Sequence, residues 1–439
     1  MELLNIFIQI ALFFIFFSTI QFLKIYKFHG VPFKLNFIEN LNYNAIIHIN
    51  FFLILSFFNL NIDEILKIYF ITLFILFFLT IKNGFFDIKE IKQNNLNLFI
   101  LLISCLVIAI DLSNSLTLGW DSQKFWIYKT INFYDGGSIE SLKYLDKGDG
   151  YDYPFLGSLV WAIFWEISFV DKEYLGRLFF IFLYILSIFS IVHKIDTSPF
   201  IKISTFIIFM LLSYDYAYFQ GEQDILVFCF MAFASSLLLS FNQIKEKKEL
   251  LVKILFLILL CNSLIWTKAE GFVYASIIVF SSIIFLKIDK KLNFFILLSL
   301  ISLFLVRILI YKFYSLNIGI NSCCWNDLSI NGIYSKITIE RFFIIFKYFI
   351  FVVFKNYIII LSLVTLLLTN KKYKLIKNSS NHVMIILLSI GFIFSAYILS
   401  DIDLIFMLKT GMDRLIFSIT PFFAIFIVNF LNLKNRKFN

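Results

Sequence analysis

Five short stretches of the chain put ionisable side chains at the ends of long apolar runs, three of them beside aromatic ones. The first reads Gly119-Trp120-Asp121-Ser122-Gln123-Lys124-Phe125-Trp126-Ile127-Tyr128-Lys129. Ser122 and Trp126 are four apart, as are Phe125 and Lys129, which predicts a short amphipathic helix lying on a membrane with its aromatics down. Asp121 stands at the start of that helix. It either caps it or presents a carboxylate at the water–lipid boundary, where it could take a proton from a hydroxyl or hold a metal. The second stretch, Tyr151-Asp152-Tyr153-Pro154-Phe155-Leu156-Gly157, opens a Trp-rich segment. Pro154 suits the first turn of a helix, and Asp152 is a candidate cap. Glu166, further along, is costly in a membrane unless it meets water or a partner. The third stretch is Glu222-Gln223-Asp224, the fourth Trp266-Thr267-Lys268-Ala269-Glu270-Gly271 and the fifth Asp413-Arg414-Leu415. Asp224 again has a capping alternative, and Lys268 could simply snorkel to the interface. Arg177 opens another apolar run and could pair with Glu173 or Glu166.

The elements that must position these residues are membrane helices. Of 439 residues 60% are hydrophobic and 15% charged, with a mean hydropathy of +0.89; a soluble globular chain carries about 45–50% apolar and about 25% charged residues. This excludes an ordinary soluble enzyme, a disordered chain and a disulfide-stapled secreted domain. The 60 Phe, with abundant Ile, Asn and Lys, match AT-rich coding and do not define an aromatic binding surface. A helix needs about 20 apolar residues to cross the hydrocarbon core. Such runs fall at 4–23, 45–61, 65–82, 97–115, 174–194, 198–218, 224–241, 250–267, 271–287, 292–313, 341–369, 382–400 and 413–432. The stretch 154–169 is shorter and is expected to lie in the interface. The fold expected is an all-α polytopic bundle of about 13 spans with juxtamembrane helices in its first large outer loop. The first run lacks the basic flank and small-residue cleavage site of a signal peptide, so it is expected to be a retained span.

Lysine clusters follow the runs on one face only if 154–169 does not cross. With that placement the N-terminus lies outside, the C-terminus inside. All six Trp then fall at the outer side or its interface, all four His inside, and the carboxylates concentrate outside. The net charge of +9 is thereby an orientation signal and does not call for nucleic acid. The larger outer loops are 116–153 and 314–340. With no His outside, a His-ligated zinc site there is not expected. Cys323 and Cys324, adjacent in the second loop, are open to a vicinal disulfide or to two thiols. Cys105, Cys229 and Cys261 lie within runs and are expected to be packing residues.

In order and spacing these motifs resemble the GT-C superfamily of polyprenyl-phosphate-sugar-dependent glycosyltransferases, which includes protein O-mannosyltransferases and lipid A aminoarabinose transferases. Trp120-Asp121 matches the acidic motif of the first outer loop, Tyr153-Pro154-Phe155-Leu156 a juxtamembrane "PPL"-like helix and Gly176-Arg177-Leu178 the "xRl" opening of the next span. Asp224 matches the second outer acid. A bacterial branch is most similar: its "WDxxxxWxxKxxxxY" is matched by Trp120, Asp121, Trp126, Lys129 and Tyr134, its "WTKxEG" by residues 266–271 and its last-span arginine by Arg414. The resemblance covers roughly 97–432, dividing the chain into N-terminal accessory spans (1–96) and a GT-C-like membrane domain (97–439). The chain departs from the family in having Ser122 after Asp121, in lacking the second proline and in carrying three spans before the catalytic one.

The resemblance implies a multi-pass glycosyltransferase of the bacterial cytoplasmic membrane with its site facing out. A sugar would pass from a polyprenyl-phosphate donor to a lipid, glycan or protein acceptor, among membrane lipids. Such a displacement needs a base for the incoming hydroxyl and positive charge or a metal at the departing phosphate. Asp121 is assigned the base or metal-holding role and Asp224 the second carboxylate, while Lys268 and Arg414 are assigned to the phosphate. Trp120, Trp126, Lys129, Asp152, Tyr153, Glu222, Glu270 and Arg177 are assigned to supporting the site or the acceptor. No cofactor is required beyond a divalent ion that Asp121, Asp224 and water oxygens could hold. A lipid-linked-glycan polymerase or ligase would put key arginines in a large late outer loop, whereas Arg341 only borders 314–340. A transporter or flippase would show mid-span charge and paired Gly/Pro breaks, and only Pro421 lies within a run.

Overall fold

The computed structural model describes residues 2–19, 37–82, 95–114, 116–145, 153–215, 219–241, 246–285, 289–316, 330–369 and 372–435. Asp152, Cys323, Cys324 and Trp325 lie outside the described residues, as do Lys24, Lys27 and Lys34 and parts of the other inner lysine clusters. Among the described residues the regular structure is all helical. In chain order the helices are α1 Glu2–Thr19, α2 Phe37–Ser56, α3 Ile62–Lys82, α4 Asn95–Asn114, α5 Ile127–Tyr134, α6 Leu156–Glu166, α7 Glu173–Val192, α8 Pro199–Tyr214, α9 Asp224–Phe241, α10 Lys247–Thr267, α11 Gly271–Phe285, α12 Lys290–Phe313, α13 Ile330–Lys336, α14 Ile339–Lys355, α15 Tyr357–Leu368, α16 Lys372–Asn378, α17 Ser380–Leu399 and α18 Leu404–Asn435.

Seven of these, α4, α7, α9, α10, α12, α17 and α18, are long and apolar enough to cross a membrane, and the count is eight if α14 and α15 form one span. Their placement follows their composition. α7 and α9 are apolar all round and are buried on every face, as expected of the centre of a bundle. α12 exposes Phe294, Leu309 and Phe313, each more than 60% accessible, a face suited to lipid rather than water. The buried side chains from Ile6 to Leu433 form one hydrophobic cluster, so α1 and α2 pack into the same core as the later helices. Polar bonds across helices reinforce it. Asn262 Nδ2 donates to Asn50 Oδ1 at 2.8 Å and Asn50 Nδ2 to Ser263 Oγ at 2.9 Å, joining α2 to α10.

Among the described residues these seven or eight helices stand against about 13 expected spans, with α1, α8 and α11 forming shorter apolar helices, and two further apolar runs fold differently from the sequence expectation. The run 341–369 is not one straight span. It breaks at Asn356, where α14 and α15 meet at 86°. Asn356 Oδ1 caps α15 by accepting from Ile359 N at 3.2 Å, and its Nδ2 donates to Thr420 Oγ1 of α18 at 2.8 Å. One asparagine therefore both starts a new helix and fastens the elbow. The stretch 154–169 forms α6, whose 11 residues reach only about 16 Å. It is too short to cross, in keeping with the expectation, but it does not lie open on a surface. Leu156 through Phe164 are buried on all sides.

Chain direction defines the two ends of the bundle. Arg177 at the start of α7 contacts the backbone before α9, and Lys268 after α10 contacts Asp224 at the start of α9. At the opposite end Asn432 Nδ2 of α18 donates to Lys194 O after α7 at 3.0 Å. The 18 residues from Arg414 to Asn432 span about 27 Å, close to the roughly 30 Å hydrocarbon thickness.

Candidate active site

Asp121, Glu222 and Asp224 offer carboxylate oxygens within 4.8 Å of one another. They come from two connecting segments. Asp121 directly precedes a π-helical turn, Ser122–Trp126, that runs into α5, and it has helical backbone angles and no side-chain capping bond. Its carboxylate instead pairs with Arg414 of α18. Asp224 begins α9, and it too serves more than the helix end: Oδ1 accepts from Lys268 Nζ at 2.9 Å, and Oδ2 lies 3.6 Å from Arg414 Nη1. Glu222 Oε2 is 3.3 Å from the same Arg414 nitrogen. Lys268 also meets Glu270 at 2.9 Å. Four of the five chemistry-bearing stretches of the sequence thus converge on one cluster, across as many as 293 positions of chain.

The two segments fit because of their glycines. Gly119 N donates to Gln220 O at 2.9 Å, and a Cβ on Gly119 would overlap Glu222 Oε1. Gly221 has φ +88°, where an L side chain is strained, and packs against the Trp161 ring. Glycine at these positions lets the backbones approach closely enough to bring three carboxylates together.

Four carboxylates face two cations, leaving negative charge uncompensated among the described residues. The protonation of Glu222 reflects this. Burial, then the charges of Asp121 and Asp224, push its carboxyl up to about 7. For Lys268, burial alone would lower the ammonium's affinity for its proton, but Asp224 and Glu270 outweigh it and hold the group above its ordinary value. Exposure separates the roles: side-chain accessibility is 15% for Asp121, 8% for Glu222 and 2% for Asp224. Asp121 is the carboxylate of the three that an incoming molecule could reach most readily. Arg414 is 19% accessible and Lys268 10%. Both cations are paired with carboxylates, and the greater accessibility of Arg414 makes it the better placed of the two candidate phosphate contacts.

The donor set suits a hard divalent ion. Among the described residues the nearby ligands are carboxylate oxygens without His or Cys, a set that selects Mg²⁺, Ca²⁺ or Mn²⁺ over zinc. Among the described residues Asp224 Oδ2 is buried with no hydrogen-bond partner, Arg414 Nη1 standing off at 3.6 Å, so it retains an acceptor for an ion held by the three carboxylates.

The remaining candidates lie around the cluster. Trp120 is 64% exposed beside Asp121 and meets Phe125 edge to face. Trp126 and Lys129 point into the protein and are buried. Lys129 Nζ donates to Tyr153 O at 2.6 Å and lies over the Trp126 ring, pinning the segment that leads into α6. Tyr153 packs against both Phe125 and Trp126. Arg177 is buried and pairs with Glu173 at 2.8 Å, whereas Glu166 is exposed. Tyr397 of α17 was not singled out by the sequence; its hydroxyl lies against Gly411, one turn before Arg414. A lone tyrosine in an apolar run gives no signal of such a position. No protein-family model, no curated protein and no solved structure matches the chain.

Proposed function

We propose that this protein is a glycosyltransferase that moves a sugar from a polyprenyl-phosphate donor to an acceptor hydroxyl at the outer face of a bacterial cytoplasmic membrane. The observation that carries the reading is the convergence of Asp121, Glu222 and Asp224 on Arg414 at one end of the bundle. Asp121, Asp224 and Arg414 are positions at which the sequence resembles the GT-C enzymes, and Glu222 stands beside them. Sidedness is supported by the lysines Lys194, Lys202, Lys247 and Lys248 at the other end, which the positive-inside rule assigns to the cytosol.

In this reading Asp121 accepts the proton of the acceptor hydroxyl as its oxygen bonds to the anomeric carbon. The bond from that carbon to the phosphate oxygen breaks, and polyprenyl phosphate leaves with the electron pair. Arg414 meets the leaving phosphate, its guanidinium supplying a planar fork of donors. Asp224 and Lys268 hold one another and keep Arg414 aimed. A divalent ion on Asp121, Glu222 and Asp224 would supply further positive charge to the phosphate. The test supplies membranes containing the protein with a radiolabelled polyprenyl-phosphate sugar. Transfer is expected for the wild type and is lost in Asp121→Asn and Asp224→Asn; undiminished transfer in Asp121→Asn overturns its assignment as base.

A further inference from the structure

Arg177 touches none of the clustered carboxylates, yet it joins the two segments that carry them. It lies in the second turn of α7, with its side chain wholly buried. Two edges of the guanidinium take up Glu173: Nε lies 2.8 Å from Oε1, and Nη2 donates to Oε2 at 3.1 Å. The remaining nitrogen, Nη1, reaches two backbone carbonyls, Thr117 O and Phe219 O, each at 3.4 Å. Thr117 is four residues before Asp121, and Phe219 is three before Glu222 and five before Asp224. The Trp161 ring lies under the guanidinium at 5.9 Å, and Trp161 Nε1 donates to Glu173 O at 3.3 Å. The ion pair is thus itself held from below.

We propose that Arg177 is a positioning residue: by bridging Thr117 O and Phe219 O it sets the spacing between Asp121 on one segment and Glu222 and Asp224 on the other. A buried ion pair is a weak stabiliser against an apolar replacement of similar size, so stability alone gives little reason for one here. A guanidinium can hold a carboxylate with two nitrogens and still present a third to two carbonyls. A lysine ammonium is a point charge and cannot span that set. The Gly119 N to Gln220 O bond joins the two backbones at one point, Arg414 links the segments through their carboxylates, and Arg177 adds a second hold on the backbones themselves. The mechanistic consequence rests on the transferase reading; the geometric one does not.

The test places nitroxide labels on the two segments at exposed positions, Leu116→Cys and Gln220→Cys, with Cys323 and Cys324 replaced by serine. Electron paramagnetic resonance on the full chain in nanodiscs then gives the inter-label distance distribution. With Arg177 present one narrow distribution is expected, and Arg177→Lys should at least double its width while the elution profile is retained. Glu173→Gln, which loosens the guanidinium without removing it, should give an intermediate width and serves if Arg177→Lys does not fold. Unchanged distributions in the folded variants overturn the proposal and leave Arg177 a stabilising residue. In the transfer assay the positioning role predicts a kcat lowered about tenfold or more with KM retained, since a displacement of about 1 Å can cost about 100-fold. A KM effect with unchanged kcat overturns the role. An inactive wild type would sink the transferase reading while the distance result still decides the positioning one.

Discussion

Asp121, Glu222 and Asp224 are chemically alike, and their surroundings make them different. Asp121 is the most accessible and pairs with an arginine that is itself partly open. Under the proposed mechanism, replacing it by Asn removes the base and should reduce transfer by about 100- to 10,000-fold, read as product per unit of folded protein. Glu222 is held near neutrality by burial and by its two neighbours, so in the metal-free protein infrared difference spectroscopy should show a protonated carboxyl titrating at about 7 that is absent in Glu222→Gln. Between the ordinary value of 4.5 and about 7 the folded chain keeps a proton that the unfolded chain releases, so this group's contribution to stability falls as pH rises through that window. Asp121→Asn removes one of the two raising charges, and the midpoint should move down; a midpoint that stays put would show that the two carboxylates do not sense each other. Lys268 is different again. It is buried between Asp224 and Glu270, so Lys268→Met strands both carboxylates and should cost about 3–5 kcal/mol, measured as a lowered melting temperature in detergent. A loss of transfer at unchanged stability would instead make Lys268 a direct phosphate contact.

At the scale of elements, the sequence showed where helices lie better than what they do. Nearly every long apolar run became a helix, because a run of that length has few other ways to satisfy its backbone in lipid. The scarcity of charge in this chain also made Asp121, Asp224, Lys268 and Arg414 stand out at run ends. What could not be read was pairing. Nothing local at Arg414 indicates Asp121, nearly 300 positions away, and nothing in Gly119 says that a glutamate will fill the space of its missing side chain. The break at Asn356 was hidden for a related reason: an asparagine within an apolar run carries no helix-breaking signal as strong as proline, and its role depends on Thr420 of another helix. Asn356→Ala removes both the cap on α15 and the bond to Thr420. It should cost about 1–2 kcal/mol and raise amide hydrogen exchange at the start of α15. Protection that stays as in the wild type would mean that packing against α18 holds the elbow without the asparagine.

For the whole molecule the question is which way the site faces, and the distribution of charge between the two ends argues for an answer. The carboxylate cluster occupies the end formed by the start of α7 and α9 and the close of α10, while Lys194 and Lys202 lie at the other end, beyond a helix of 20 residues. That helix is about 30 Å long, so positions on either side of it are separated by a full hydrocarbon core. Phe169, 74% exposed between α6 and α7, marks the carboxylate end. Ser198, exposed where α8 begins, marks the lysine end. With Cys323 and Cys324 replaced by serine and Cys105, Cys229 and Cys261 buried, a single cysteine at either position reports its side. A membrane-impermeant maleimide applied to spheroplasts should label Phe169→Cys and spare Ser198→Cys until the membrane is opened. The reverse pattern would put the cluster in the cytosol, where a nucleotide-linked donor would meet it as readily as a lipid-linked one, and would remove the reason for preferring polyprenyl phosphate.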